Sequence, residues 1–217
     1  MNEKEIFIEL YKKGLIKTLK DKPEGWKLVS GIWSPFYIQL RLLPSHPDLL
    51  NEIGNLLGKK IRGCGNKLLG IAMAGIPIAT AISLHYNMPM CYTRKISGVK
   101  SIQEIEKYGE HSLVEGEIKE GDEFIAIDDI VTKFDSKLMA IKQLEMEAEK
   151  RECKIKCKHV AVVIDRQQGA EKIAKQHGIE LHSLIKFKDA MKWIKDFMSE
   201  KEYEIIVDYL EKQEKNQ

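Results

Sequence analysis

Phe124-Ile125-Ala126-Ile127-Asp128-Asp129-Ile130-Val131-Thr132-Lys133-Phe134-Asp135-Ser136 is the stretch that decides the fold. Its four leading apolar residues read as a buried strand. Two acids stand where that strand is expected to end, and a short polar loop follows. Ser136 is placed to cap a helix running to about Lys150. Leu138, Ile141, Leu144 and Ala148 recur at helical spacing and give that helix a buried stripe. Ligands of an open α/β sheet sit beyond the carboxyl ends of its strands. A helix N-terminus there offers free N–H groups and a positive dipole end, which suits a phosphate.

The flanking sequence repeats the pattern. Leu68–Met73 predicts a strand, Ala74-Gly75-Ile76-Pro77 a tight turn, and a helix follows through Leu84. Met90–Tyr92 and Leu113–Gly116 are further short strands. Val160–Ile164 is a β-branched run that ends in Asp165-Arg166-Gln167-Gln168-Gly169. A helix follows Gly169 and stops at Gly178, and Ile179–Leu184 is the next strand. Strands alternating with helices predict a parallel sheet covered on both faces. Residues 94–111 are long, charged and without a clear period, and read as a mobile lid.

The N-terminal part differs. Ile6, Phe7, Leu10, Tyr11 and Leu15 share one helical face across residues 3–19, with Gly14 loosening the end. Residues 26–41 read as a β-hairpin or meander turning at Ser30-Gly31. In it Phe36, Ile38 and Leu40 alternate with Tyr37, Gln39 and Arg41. Pro44–Pro47 opens a helix carrying Leu49, Leu50, Ile53, Leu56, Leu57 and Ile61. Two helices close the chain over residues 189–217, the second starting at a Ser199–Glu202 capping box. With no internal repeat or linker, residues 1–217 read as a single domain with a small hood at about 20–45.

Composition narrows the function. The 217 residues carry 35 basic and 33 acidic side chains, a net charge of +2, which gives no basic surface for nucleic acid. No apolar run is long enough to span a membrane. The acidic, amphipathic start is unlike a targeting peptide, so a cytoplasmic location is expected. Of four cysteines, Cys153 and Cys157 are four apart without a second pair at zinc spacing. Reduced thiols are the reading, and no metal ligand is assigned among the side chains.

The segment Phe124–Ser136 resembles the phosphoribosyl diphosphate signature of type I phosphoribosyltransferases. Within that superfamily, further segments resemble orotate phosphoribosyltransferase. They are Ser30-Gly31 with Ser34–Ile38, Ala74–Ala79, Arg94-Lys95 with Lys107-Tyr108-Gly109, and Val163–Gly169. The matches keep the family's order and span roughly residues 25–170. The resemblance implies a mainly parallel twisted sheet flanked by helices, with a small N-terminal β hood. It implies transfer of ribose 5-phosphate from phosphoribosyl diphosphate to orotate, with Mg²⁺ bound largely through the substrate. It also implies a homodimer whose lid crosses to the neighbouring subunit.

By the same resemblance, Lys95, Lys107, Asp128 and Asp129 are catalytic. Met73, Ala74, Arg94, Lys95 and the run Asp128, Asp129, Ile130, Val131, Thr132, Lys133, Phe134, Asp135, Ser136 bind the donor. Tyr37, Ile38, Thr132 and Arg166 meet orotate, Arg166 through the carboxylate that its planar fork suits. The chain departs from the pattern in places. Phe134 and Asp135 stand where the phosphate loop usually has small residues. Val29 and Ala74 stand where many members have Lys. The lid is longer than usual, which leaves its Lys open between Lys100 and Lys107. Two functional readings therefore stand: turnover, or a catalytically weak homologue that binds nucleotide or donor as a sensor.

Overall fold

The computed structural model describes residues 1–28, 31–96, 104–105 and 111–215. Lys107, Lys100, Val29, Ser30, Tyr108 and Gly109, singled out above, lie outside the described residues, as does most of the expected lid.

Helix α1 (Glu3–Lys12) starts at Asn2, whose side chain accepts from the Glu5 amide while Glu5 accepts from the Asn2 amide. Gly14, at φ +71°, ends it as expected. The helix does not resume. Ile16–Thr18 is strand β1. The apolar spacing that continues past Gly14 serves a strand, because the turn rotates Leu15 and Ile16 into the same core. The hood continues through β2 (Trp26–Lys27), β3 (Trp33–Ser34) and β4 (Phe36–Ile38). β2 pairs antiparallel with β3, and β1 with β4. A 3₁₀ turn (Leu40–Ser45) leads to α2 (Pro47–Lys60), with Pro47 in its first turn.

The main body then runs β5 (Lys67–Gly70), α3 (Gly75–Tyr86), β6 (Met90–Thr93), β7 (Val114–Glu115), β8 (Glu123–Val131), α4 (Asp135–Lys150), β9 (Lys156–Asp165), α5 (Ala170–Gln176) and β10 (Glu180–Lys186). A short α6 (Phe187–Ala190), a 3₁₀ segment (Met191–Phe197) and α7 (Glu200–Lys215) follow. The sheet order is β10-β9-β8-β5-β6-β7. All pairs are parallel except β6 with β7.

Alternation along the strands divides two cores. Ile125, Ile127, Ala161 and Val163 pack with Phe7, Ile53, Ile82 and Phe187. Phe124, Ala126, Val160 and Val162 pack with Ala140, Leu144 and Ala174. Helices α1, α2, α3 and the C-terminal helices thus cover one face, and α4 and α5 the other.

The order also places the site. From β5 the chain crosses to β6 on one side, and from β8 it crosses to β9 and β10 on the other. The strand order therefore reverses between β5 and β8, and the crevice at their carboxyl ends is the switch point.

Further details differ from the sequence reading. Strand β5 ends at Gly70 and not at Met73, because the chain turns there into the loop before α3. Strand β8 does not stop at Ile127. It pairs with β9 through Asp128↔Val162, Ile130↔Ile164 and Val131↔Asp165. The ladder is made by backbone, so acidic side chains do not end it while β9 continues alongside. Ser136 does not cap α4. The N-cap is Phe134 at φ +82°, without a side-chain cap, and the helix opens at Asp135. That left-handed turn brings the chain into the helix two residues early.

Candidate active site

Three loops leave the sheet at neighbouring strand ends: 71–74 after β5, 132–134 after β8, and 166–169 after β9. They are stitched together by backbone. Ile71 donates to Ile127 O at 2.9 Å, and Arg166 donates to Val131 O at 3.0 Å. Gly75 is needed for this packing, since a Cβ there would collide with the Ile127 carbonyl oxygen. Its small size serves helix–strand contact at this point. The Ala72–Met73 peptide is cis, and the Ala72 amide donates to Thr93 Oγ1 at 2.9 Å. Met73 is exposed and Ala74 half-buried on this loop. Arg94 and Lys95 continue from β6 beside it, both exposed. The Arg94 guanidinium lies 3.6 Å from Glu115.

The two acids occupy unlike surroundings. Asp128 is buried and its Oδ2 lies 2.8 Å from Lys137 Nζ. Lys137 also donates to Ile130 O and contacts Ser136 Oγ at 3.2 Å. Its own side chain is 5 % exposed. Asp129 forms no ion pair among the described residues. Its Oδ1 accepts the Ile130 amide at 2.8 Å. Burial, with the Asp128 charge next in line, pushes the Asp129 carboxyl up to about 7. Lys137 is the site residue that the sequence reading missed. A lone lysine in the first turn of an amphipathic helix carries no signal that distinguishes it from a solvated one.

The loop after β8 resolves the two odd residues. The Phe134 side chain is 1 % exposed and packs in the core with Val131 and Ala140. Asp135 is exposed. Lys137 and Leu138 donate to Phe134 O at 2.9 and 3.2 Å. Among the described residues, the amides of Lys133, Phe134, Asp135 and Ser136 donate no backbone bond across this loop. They are the unengaged N–H groups that begin a helix. Thr132 is half-buried, and Lys133 is exposed.

Arg166 sits on the other side of β8. Its guanidinium carbon lies 5.2 Å from the centre of the Phe36 ring. Its Nε is buried without a hydrogen-bond partner. Burial lowers the guanidinium pKa from its ordinary value, and Tyr209 on α7 works against that shift. Tyr209 also packs edge-on against Phe36 with ring centres 5.7 Å apart. The hood and the C-terminal helix thus meet over Arg166. Tyr37 is exposed and stacks on Trp26 at 6.2 Å, and Ile38 is half-buried. Gln167, at φ +57°, accepts the Lys188 amide at 2.9 Å and braces the loop from below. The structure therefore brings together Asp128, Asp129, the 132–136 loop and Arg166, with Met73, Ala74 and Arg94 at the next strand ends. A cleft of about 1230 Å³ opens beside them, lined by Lys133, Asp165, Gln167, Lys172 and Lys186 among others.

A mainly parallel sheet, two acids at its switch point, a helix-opening amide cradle after them and an N-terminal β hood define a type I phosphoribosyltransferase. No protein-family profile matches the chain. It is 32% identical over 187 residues to the orotate phosphoribosyltransferase of Pyrobaculum calidifontis, covering 85% of this chain and 90% of that one. It is 30% identical over 162 residues to that of Methanocaldococcus jannaschii, covering 75% and 84%. The chain belongs to the orotate phosphoribosyltransferase family. Among solved structures, the orotate phosphoribosyltransferase of Aeropyrum pernix superposes with a TM-score of 0.72 at 22% identity, covering 88% of this chain and 98% of that one. The UMP synthase of Leishmania donovani gives 0.79 at 23% identity, covering 97% of this chain but only 42% of that one.

Proposed function

We propose that this chain transfers ribose 5-phosphate from 5-phosphoribosyl 1-diphosphate to orotate, giving orotidine 5′-phosphate and pyrophosphate for pyrimidine nucleotide synthesis. The observation that carries the choice of base is Arg166. A guanidinium clamped by Phe36, with an unpaired Nε, is prepared for a planar carboxylate. Family membership supports the same choice.

The donor's 5′-phosphate takes the unengaged amides of residues 133–136, together with Thr132 and Ser136. Phe134 leaves that space because its ring is in the core, and exposed Asp135 leaves it because it faces solvent. The sensor reading rested on Phe134, Asp135 and Val29; the first two no longer favour it, and Val29 lies outside the described residues. Asp128 and Asp129 receive the ribose hydroxyls. Lys137 holds the Asp128 carboxylate in place through their 2.8 Å contact. Tyr37 and Ile38 meet the polar edge of the base from the hood. N1 of orotate forms the new bond to C1′ as the C1′–O bond to diphosphate breaks. The developing charge on ribose is stabilised by the nearby carboxylates, and that on the diphosphate by Arg94, Lys95 and a lid lysine, Lys107 or Lys100. Mg²⁺, brought largely by the diphosphate, adds charge neutralisation when bound. Asp129 fits it best, because Lys137 already occupies Asp128.

Residues 94–111 act as the lid and reach a neighbouring copy, so the working form is a homodimer. Among the described residues, no helix is long and apolar enough to cross a membrane. Cytoplasmic metabolism suits this chemistry. The test is pyrophosphate release with donor, Mg²⁺ and orotate. Release is expected, and Arg166→Ala should raise the orotate KM at least about tenfold, the loss of a charge-assisted pair. An unchanged KM would overturn the assignment of orotate to Arg166. No release with orotate would overturn the reading as a whole.

A further inference from the structure

At the opposite end of the sheet from the site, three side chains from three distant segments converge. Cys64 lies in the turn between α2 and β5. His159 is near the start of β9, and His182 near the start of β10. The ligand atoms of all three lie within 4.8 Å of one another. His159 Nδ1 is 3.1 Å from His182 Nε2, and Cys64 Sγ is 3.9 Å from the same Nε2. Glu180 flanks the two histidines, one carboxylate oxygen 3.7 Å from His159 Nδ1 and the other 3.8 Å from His182 Nε2.

The fold explains the convergence. Glu180 stands opposite His159 in the β9–β10 register, and His182 is two residues further along the same face. Cys64 arrives from α2, which covers that face. None of this is visible as sequence spacing, because the ligands come from three segments and not from paired motifs.

We propose that Cys64, His159 and His182 form a zinc site, with the Glu180 carboxylate beside the two imidazoles. Tetrahedral zinc holds nitrogen at about 2.0–2.1 Å and thiolate sulfur at about 2.3 Å, which places neighbouring donor atoms about 3.3–3.6 Å apart. The separations of 3.1 and 3.9 Å bracket those values. A sulfur and two imidazoles are a donor set of zinc's borderline character. Three protein ligands leave the fourth tetrahedral position to water. A cavity of about 180 Å³ adjoins Cys64 and His159. The six residues from His159 to Asp165 span about 20 Å of strand, so the ion takes no part in the reaction. It ties the α2–β5 turn to the outer two strands of the sheet.

The test uses the full, reduced chain after chelator treatment, titrated with Co²⁺ and then Zn²⁺. One equivalent of Co²⁺ should produce thiolate-to-cobalt charge-transfer absorption, which Zn²⁺ removes. Cys64→Ser should abolish that band, Cys153→Ser should leave it intact, and His182→Ala should weaken binding at least about tenfold. In the unaltered chain, one equivalent of Zn²⁺ should slow alkylation of Cys64, a readout that needs no variant to fold. Absence of the band, its persistence in Cys64→Ser, or alkylation indifferent to Zn²⁺ would each overturn the site. A bare hydrogen bond between the two histidines is then what remains.

Discussion

Lys137 and Asp128 make a buried pair inside the site, and the physics of such pairs is asymmetric. Removing one partner leaves a charge with neither water nor counter-ion. Lys137→Leu should cost about 3–5 kcal/mol of unfolding free energy, measured by urea denaturation. The double variant Lys137→Leu/Asp128→Asn should recover most of that loss, since no buried charge remains. Equal losses in the single and double variants would show that Lys137 acts through packing and not through the pair.

Asp129 makes a prediction about pH. Its folded-state carboxyl is pushed up to about 7, against about 3.9 in an unfolded chain. Between those values the folded protein holds a proton that the unfolded chain has released. The contribution of this group to stability is full below about pH 4 and is lost as pH rises through about 7. Relative to Asp129→Asn, the unaltered protein should therefore lose at least about 1 kcal/mol between pH 4.5 and pH 7.5, read from denaturation at both. A constant difference would sink the assignment. Ionisation over the same window also readies Asp129 for a cation, so donor-and-Mg²⁺ affinity should rise as stability falls.

At the scale of elements, the loop between β8 and α4 trades backbone strain for burial. Phe134 adopts a left-handed backbone that disfavours any residue with a Cβ by about 1–2 kcal/mol. Its ring repays this in the core. Phe134→Gly should relieve the strain yet lose the burial, a net destabilisation of about 2–4 kcal/mol by chemical denaturation. The donor KM should change little, because the ring is not in the site. A large rise in KM with unchanged stability would reverse that reading. Helix α7 is anchored in a comparable way. Ser199 Oγ accepts the Glu202 amide at 3.2 Å, half of the expected capping box. The Glu202 carboxylate instead accepts the Lys20 amide at 2.9 Å and ties the helix to the hood.

For the whole molecule, the proposed homodimer predicts a solution mass of twice 25.0 kDa by light scattering. A fully active species at 25.0 kDa would exclude a lid shared between copies. The alternation of strand and helix was legible from residue 67 onward because each buried strand is a run of apolar residues bounded by Gly or charge. The adjacent acids and the Arg166 loop were legible because both follow such runs directly. Strand β1 was not legible, since three residues cannot show a period of two. Strand β8 extends past its apolar run because a ladder reads backbone and not side chains. Lys137 and Tyr209 were hidden for a common reason. Each belongs to a helix with an ordinary amphipathic pattern, and only the tertiary fold turns that position toward Asp128 or Arg166. Cys64, His159 and His182 needed the sheet register to become neighbours.

The placement of Phe134 also sets a clock. The Lys137 and Leu138 amides are held by the carbonyl of a residue whose ring is locked in the core. The anchored ring keeps that shared acceptor in place. Hydrogen exchange at those two amides should therefore be slow for the start of a helix. The Asp135 and Ser136 amides of the same turn, which donate no backbone bond, should exchange first, and those of Lys137 and Leu138 after them.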